Sequence, residues 1–120
     1  MSKVQVNWFE IPVHDVSKAA AFYGKVLGCS FKELEGPAGP MRAFLNGDDM
    51  VGCLVQGDHL NPGGQGIALY LDAVGDIDGC LSRAEANGGK VALPKTSIGE
   101  HGAIAQILDP DGNSVGLHSL

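Results

Sequence analysis

The sequence lacks any segment suited to crossing a membrane and has few residues for covalent or metal cross-links. No apolar run within its 120 residues approaches the roughly 20 residues that a membrane span requires. The amino-terminal stretch MSKVQVNWFE has neither the basic start nor the apolar centre of a signal peptide. Cys29, Cys53 and Cys80 lie in apolar segments without metal-type spacing, which indicates buried free thiols. We therefore expect a cytoplasmic protein.

Positive charge is also scarce. The chain has eight Lys and Arg residues and 14 Asp and Glu residues, so its net charge is −6, and this charge is spread along the chain. Nucleic acids and anionic membranes attract basic patches, so we expect neither as a partner. Nucleotide motifs are missing as well: the glycine-rich stretches GPAGP (36–40) and NPGGQG (61–66) each precede a predicted strand and are interpreted as loops.

The hydrophobic pattern predicts a first unit of order β-α-β-β-β. Strand-like alternation covers Val4–Val13. Asp15 is a good amino-terminal cap for the helical pattern that follows, and Gly28 suits its end. Three further strands are predicted near Ser30–Leu34, Met41–Asn46 and Met50–Gln56.

A second unit repeats the same order of elements. A strand over Gly66–Ala73 precedes a helix whose apolar residues begin at Ile77 and recur at i, i+3, i+4 and i+7. The remaining strands are predicted at Lys90–Pro94, Ala103–Leu108 and Ser114–His118. A chain of 120 residues fits one domain. Within it we expect module one at residues 1–57, a linker at 58–65 and module two at 66–120.

Three segments resemble the vicinal oxygen chelate superfamily, also called the glyoxalase/bleomycin resistance/dioxygenase group. They are VNWFEIPVHDVSKAAAFYGKVLG (6–28), PKTSIGEHG (94–102) and DPDGNSVGLHS (109–119). The resemblance covers the whole chain and implies an α+β fold. Two tandem βαβββ modules would form a curved, cup-shaped mixed sheet with helices on the outside. It also implies a homodimer, because family members complete their cups within a chain or between two chains.

Strict alternation along each strand predicts which side chains face the helices and which line the cup. The apolar faces should meet the helices, and they carry Phe9, Ile11, Val13, Ile67, Leu69, Leu71, Val115 and Leu117. The opposite faces should line the cup, and they carry Trp8, Glu10, Ala68, Tyr70, Ser114, Gly116 and His118. Because that second set includes two aromatic residues, we expect a ligand cavity instead of a merely solvated surface.

Most enzymes of the family hold a divalent metal in the cup, and the resemblance implies four ligand positions. In this chain they read Trp8, Cys53, Gly66 and Gly116. Indole and glycine have no ligating side chain, and the family's metals are held mainly by His and carboxylate. We therefore predict no metal at these positions and no cofactor. A divalent metal relocated to other cup donors stays an alternative.

The remaining polar residues of the cup supply the candidate site. Glu10 with His101 or His118 could form a general acid–base pair, although Glu10 could equally be a structural carboxylate. Tyr70 could donate a hydrogen bond to a ligand carbonyl. Cys53 has no evident neighbouring base and is more typical of an inert thiol. The predicted ligand-binding residues are Trp8, Cys53, Tyr70 and Ser114.

Three functions are compatible with the sequence. The first is binding of a small organic molecule in the cup, without a metal. The second is a glyoxalase-like lyase or isomerase, of the lactoylglutathione lyase type, with a relocated divalent metal. The third is a non-catalytic interaction module whose cup is closed by Trp8.

Overall fold

The computed structural model describes residues 6–57, 61–64 and 67–120. Its elements follow the predicted order, and the α+β fold of two βαβββ modules is confirmed. Module one contains β1 (Glu10–Val13), α1 (Val16–Leu27), β2 (Phe31–Glu35), β3 (Pro40–Asn46) and β4 (Asp49–Gln56). Module two contains β5 (Tyr70–Asp72), α2 (Ile77–Ala86), β6 (Lys90–Ser97), β7 (Ala103–Leu108) and β8 (Ser114–Ser119). Neither helix is long and apolar enough to span a bilayer.

Each module forms a mixed sheet of four strands with the same topology. The strand orders are β1-β4-β3-β2 and β5-β8-β7-β6. The first strand of each module pairs in parallel with the last, and the other pairs are antiparallel. Glu10 pairs with Cys53 in module one, and Tyr70 pairs with Gly116 in module two. Each of these pairs is the first pair of the parallel ladder in its module.

Three strand boundaries differ from the sequence prediction by more than one residue. β1 begins at Glu10 instead of Val4, which lies outside the described residues, because the parallel ladder with β4 starts only there. β5 begins at Tyr70 for the same reason, and the predicted start at Gly66 also lies outside the described residues. β6 continues past Pro94 to Ser97. It pairs only with β7, so an edge strand tolerates the missing N–H of proline.

Both helices begin at an aspartate cap. Asp15 accepts hydrogen bonds from the amides of Ser17 and Lys18, and α1 ends at Gly28 in the left-handed conformation, as predicted. Asp76 caps α2 in the same way. Arg83 on α2 donates from Nε and Nη2 to the carbonyl oxygen of Val26 at 3.2 and 3.1 Å. This contact joins the two helices and satisfies a carbonyl at the end of α1.

The helix-facing side of both sheets forms one continuous core. Ile11, Val13, Val115 and Leu117 are buried in it, as the alternation predicts, and Phe9, Leu69 and Leu71 pack against it. Ile67 is the exception, because it is 98% exposed. It precedes the paired part of β5, so no neighbouring strand holds it against the core. Cys53 and Cys80 are buried and Cys29 is partly buried, all three as free thiols.

The DPDGN turn (109–113) ties the two modules together. Asp109 is only 4% exposed, and its carboxylate accepts four hydrogen bonds, from Tyr23 Oη, from Asn113 Nδ2 and from the amides of Asp111 and Asn113. Asn113 Nδ2 also donates to the carbonyl oxygen of Pro12 at 2.7 Å. A buried carboxylate is tolerated when its oxygens are satisfied in this way. The turn therefore bonds to β1 and α1 of the other module.

Burial, followed by the charge of Asp109, raises the pKa of Tyr23 well above its ordinary value of 10.0. The folded chain therefore favours the neutral phenol. Because the folded pKa is raised, the stability that the Tyr23 hydroxyl contributes is fully present below about pH 10. It is lost as the pH rises from there toward the folded pKa, since the unfolded chain ionises first.

We expect Tyr23→Phe to lower the free energy of unfolding by about 1–3 kcal/mol at neutral pH, because the variant removes a buried hydrogen bond to a carboxylate. Chemical denaturation measures the difference. Tyr70→Phe is the matched control, since it removes an exposed hydroxyl and should cost under about 0.5 kcal/mol. The difference in the free energy of unfolding between the native chain and Tyr23→Phe should become smaller above about pH 10. A difference that grows above this pH would contradict the prediction.

Candidate functional site

The cup wall of module one is apolar with one carboxylate at its edge. Met41, Ala43, Cys53 and Val55 form a second buried cluster on the face of the sheet that points away from the helices. Glu10 is exposed beside it, with Oε2 3.9 Å from Cys53 Sγ. Cys53 therefore lies on the predicted face, within the wall and not at its surface.

The environment of Cys53 is that of an unreactive thiol. Burial, followed by the charge of Glu10, raises the pKa of Cys53 to about 11, although a hydrogen bond with the Trp8 side chain acts in the opposite direction. A thiol is nucleophilic as its thiolate, which is disfavoured here. The contact with Cys53 places the Trp8 side chain against the same wall, where it is 37% exposed.

The cup wall of module two is a grid of two rows across β5, β8 and β7. Strand register places Tyr70, Gly116 and Gln106 in one row. The ring of Tyr70 lies directly over Gly116, in the space that a side chain there would occupy. Its hydroxyl reaches the next strand and accepts a hydrogen bond from Gln106 Nε2 at 3.0 Å. Because Gly116 has no side chain, the Tyr70 ring can pack directly on the backbone there.

The second row contains Asp72, His118 and Ile104. His118 Nε2 lies 2.8 Å from the carbonyl oxygen of His101, so this nitrogen carries the proton and donates it. The His101 ring itself is 76% exposed and lies 3.7 Å from the carboxylate of Glu100. His101 thus contributes its backbone to the wall and leaves its imidazole outside.

The predicted acid–base pair is not assembled within the described residues. There, Glu10 makes no hydrogen bond or ion pair with His101 or His118. Glu10 belongs to the wall of module one, whereas His118 belongs to the wall of module two. The single chain separates these groups, and a direct proton transfer between them has no geometric support.

Two cavities adjoin these walls. A cavity of about 560 Å³, which we call the seam cavity, lies where β1 approaches β8 and the segment before β5; its lining includes Trp8, Glu10, Ala68, Asn113 and Ser114. A second cavity of about 420 Å³, which we call the module-two cavity, is lined by Tyr70, Leu71, Asp72, Ile104 and His118. Five predicted site residues are thus divided between the two cavities, whereas Cys53 and His101 line neither of them.

The residues at the four family positions do not fit a divalent metal. Gly66 lies outside the described residues and, as glycine, has no side chain that could ligate. Cys53 holds its proton, and the ring of Tyr70 fills the direction in which a ligand at position 116 would point. Within the described ranges, no three His, Cys, Asp or Glu side chains come together as a metal-binding group.

Gln106 and Asp72 are site residues that sequence analysis missed. Both could have been found from the alternation along the strands. Asp72 lies two residues after Tyr70 on the same strand, and Gln106 lies between the buried residues Ala105 and Ile107 and must face the cup. The contact between Tyr70 and Gln106 could not be found in this way, because it depends on the strand order within the sheet.

Comparisons with known proteins agree with this architecture. The model of the Glyoxalase/Bleomycin resistance protein/Dioxygenase superfamily matches residues 5–117. The chain is 30% identical over 114 residues to CFP32 of Mycobacterium bovis, a candidate glyoxylase by its name. That match covers 92% of this chain and 44% of CFP32, so the chain spans less than half the length of this relative.

Two solved structures illustrate the range of similar proteins. TnmS3, an antibiotic binding protein from Streptomyces sp. CB03234, is 30% identical with a TM-score of 0.66, and the match covers 98% of this chain and 97% of TnmS3. The fosfomycin resistance protein FosX from Listeria monocytogenes is 17% identical with a TM-score of 0.70, covering 100% of this chain and 92% of FosX. At that identity FosX supports the fold alone.

We expect Gly116→Ala to destabilise the chain by about 1–3 kcal/mol, because the new methyl group must displace the Tyr70 ring. A double-mutant cycle with Tyr70→Ala, followed by chemical denaturation, separates this contact from other effects. In the Tyr70→Ala background the cost of Gly116→Ala should largely disappear. An equal cost in both backgrounds would show that the ring does not occupy this space.

Proposed function

Because this chain belongs to the Glyoxalase/Bleomycin resistance protein/Dioxygenase superfamily, we propose that it binds a small organic molecule in its cup without the family's metal. The observation that carries the proposal is the seam cavity, about 560 Å³ in volume, with Trp8 on its wall. Among the residues that the structure describes, no group of metal donors surrounds it. A largely apolar concavity with a few polar groups is the usual form of a small-molecule site.

The pattern of polar groups supports binding more than chemistry. Trp8 offers an indole face, and Glu10 and Ser114 offer polar groups on opposite sides of the seam cavity. TnmS3 is named an antibiotic binding protein and aligns over nearly the whole chain, which favours the same class of function here. The partial exposure of Trp8 weighs against a cup that the indole closes completely.

A homodimer in the cytoplasm is part of the same proposal. Met50 and Val51 are exposed apolar residues on β4, at the end of the module-one sheet. Isolated exposed apolar side chains are common, but adjacent ones next to an open cup favour burial against a second copy. A second copy would also bring the wall of one module toward the wall of the other.

A glyoxalase-like lyase or isomerase is the second candidate. The observation in its favour is the 30% identity to CFP32, whose name describes glyoxylase activity. This function would need either a divalent metal on donors other than the family positions or an acid–base pair formed between chains, since one chain separates Glu10 from His118.

A thermal-shift series with nickel, zinc, cobalt and manganese distinguishes the two candidates. We expect none of these ions to raise the melting temperature, because a ligand stabilises the native state only through a site it binds there. Buffer with magnesium serves as the control for ionic effects. A rise of several degrees together with near-stoichiometric uptake of one metal would favour the lyase over the metal-free proposal.

The emission of Trp8, the one indole of the chain, should report ligand binding in the seam cavity. We expect it to be partly accessible to quenchers and to change saturably during titration with small aromatic compounds. The reason is that a ligand in the seam cavity must contact or shield the indole. Selective excitation of tryptophan gives the binding curve.

A matched pair of variants localises this binding. Ser114→Tyr fills the seam cavity and should weaken binding by about tenfold or more. Ser82→Tyr makes the same change on the exposed face of α2 and should leave binding unchanged. Equal affinity in the two variants would remove the seam cavity from the proposal. An emission that no compound alters, with only the free chain in native mass spectra, would favour the interaction module.

A further inference from the structure

The module-two cavity contains two polar groups whose hydrogen-bond directions are fixed by their neighbours. Tyr70 Oη already accepts a hydrogen bond from Gln106 Nε2 at 3.0 Å. An amide NH₂ group can only donate, so the phenol proton points elsewhere and is available to a ligand. Tyr70 is 41% exposed and lines the cavity, which makes its hydroxyl a directed donor.

The neighbours of His118 leave it a hydrogen-bond acceptor for a ligand, whereas those of Tyr70 leave it a donor. Its Nε2 donates to the carbonyl oxygen of His101 at 2.8 Å. In a neutral imidazole the other ring nitrogen then carries no proton, so Nδ1 of His118 is an acceptor. The ring is partly exposed and lines the same cavity as Tyr70. One wall therefore presents one directed donor and one directed acceptor.

The surrounding groups restrict the charge and shape of a ligand. Asp72 pairs with His118 across the strands, and its Oδ1 accepts the amide of Val74. This carboxylate disfavours an anion in the cavity. Ile104 and the flat ring of Tyr70 supply apolar contacts on either side. The cavity thus suits an uncharged, flat molecule.

We propose that the module-two cavity is a specific subsite for a neutral planar compound whose edge carries a carbonyl oxygen beside an N–H or O–H group. The carbonyl accepts from Tyr70, which is oriented by Gln106, and the N–H or O–H donates to Nδ1 of His118. The inference rests on the proposed small-molecule function and extends it from the seam cavity to the neighbouring wall. No covalent step is involved.

Three substitutions test the hydrogen bonds to a ligand separately from the packing of the cup wall. Tyr70→Phe keeps the ring over Gly116 and removes only the donor. His118→Gln keeps a terminal NH₂ group that can reach the His101 carbonyl and removes the ring acceptor. Gln106→Glu replaces the donor to Tyr70 by an acceptor, so the phenol proton turns toward position 106 and away from a ligand.

The test uses 2-quinolinone, a flat cyclic amide with the required edge, and N-methyl-2-quinolinone, which lacks the N–H donor. Binding is followed by NMR of the isotopically labelled full chain. We expect 2-quinolinone to shift the signals of Tyr70, Gly116 and His118. Tyr70→Phe, His118→Gln and Gln106→Glu should each weaken its binding, by about three- to tenfold, as expected for one hydrogen bond.

The methylated probe is the matched control for His118. Its binding should be weaker in the native chain and should not change further in His118→Gln, because it makes no hydrogen bond to that side chain. Equal losses for both probes in His118→Gln would show a structural effect and overturn the inference. Unchanged affinity of 2-quinolinone in all three variants would overturn it as well.

The outcome is distinguishable from failure of the proposed function. If 2-quinolinone alters the emission of Trp8 but leaves the signals of Tyr70 and His118 unshifted, the subsite inference fails and the seam cavity stands. If 2-quinolinone does not bind at all, the subsite inference also fails. The seam cavity is then judged on its own titration and on the Ser114→Tyr and Ser82→Tyr pair.

Discussion

The buried carboxylate of Asp109 is the constraint on which the arrangement of the two modules depends. Its four hydrogen bonds bring together the turn before β8, the hydroxyl of Tyr23 on α1 and the side chain of Asn113. Asn113 continues the network to Pro12 on β1 and to the amide of Gly63. A charge this deeply buried is stable only while every partner is present. The edge of β1 is consequently held beside β8, and this approach defines the seam cavity.

Two local features make positions 116 and 53 unsuited to a metal ligand. In module two, glycine at position 116 allows the Tyr70 ring to lie on the sheet and reach Gln106. In module one, Cys53 is enclosed in an apolar wall next to Glu10, which together keep its thiol protonated. At either position a substitution to a metal ligand would disturb the neighbours, because the space is filled by packing. The cup presents hydrogen-bonding and aromatic groups instead.

Much of the fold could be predicted from the sequence because its signals are local. Asp15 and Gly28 mark the ends of α1 through cap geometry that needs no tertiary contact, and the alternation in β8 identifies Val115 and Leu117 as core residues. The starts of β1 and β5 could not be predicted, since they depend on where a parallel partner begins. The sequence predicts His101 in the cup because of the loop that carries it. Only its backbone carbonyl contacts the cup wall, through His118, and its side chain points outward.

Each module has one aromatic ring on its cup wall, and the two rings border different cavities. Trp8 lies two residues before the first paired residue of β1, whereas Tyr70 is itself the first paired residue of β5, with Ala68 two residues before it. Both Trp8 and Ala68 border the seam cavity, so this cavity has a large indole on one side and a methyl group on the other. If position 68 carried an aromatic residue like position 8, two large rings would meet in the seam cavity and fill it. The offset between the modules leaves the seam open and moves the second ring into a separate cavity. The different positions of the two rings along their strands therefore give the duplicated fold two separate cavities.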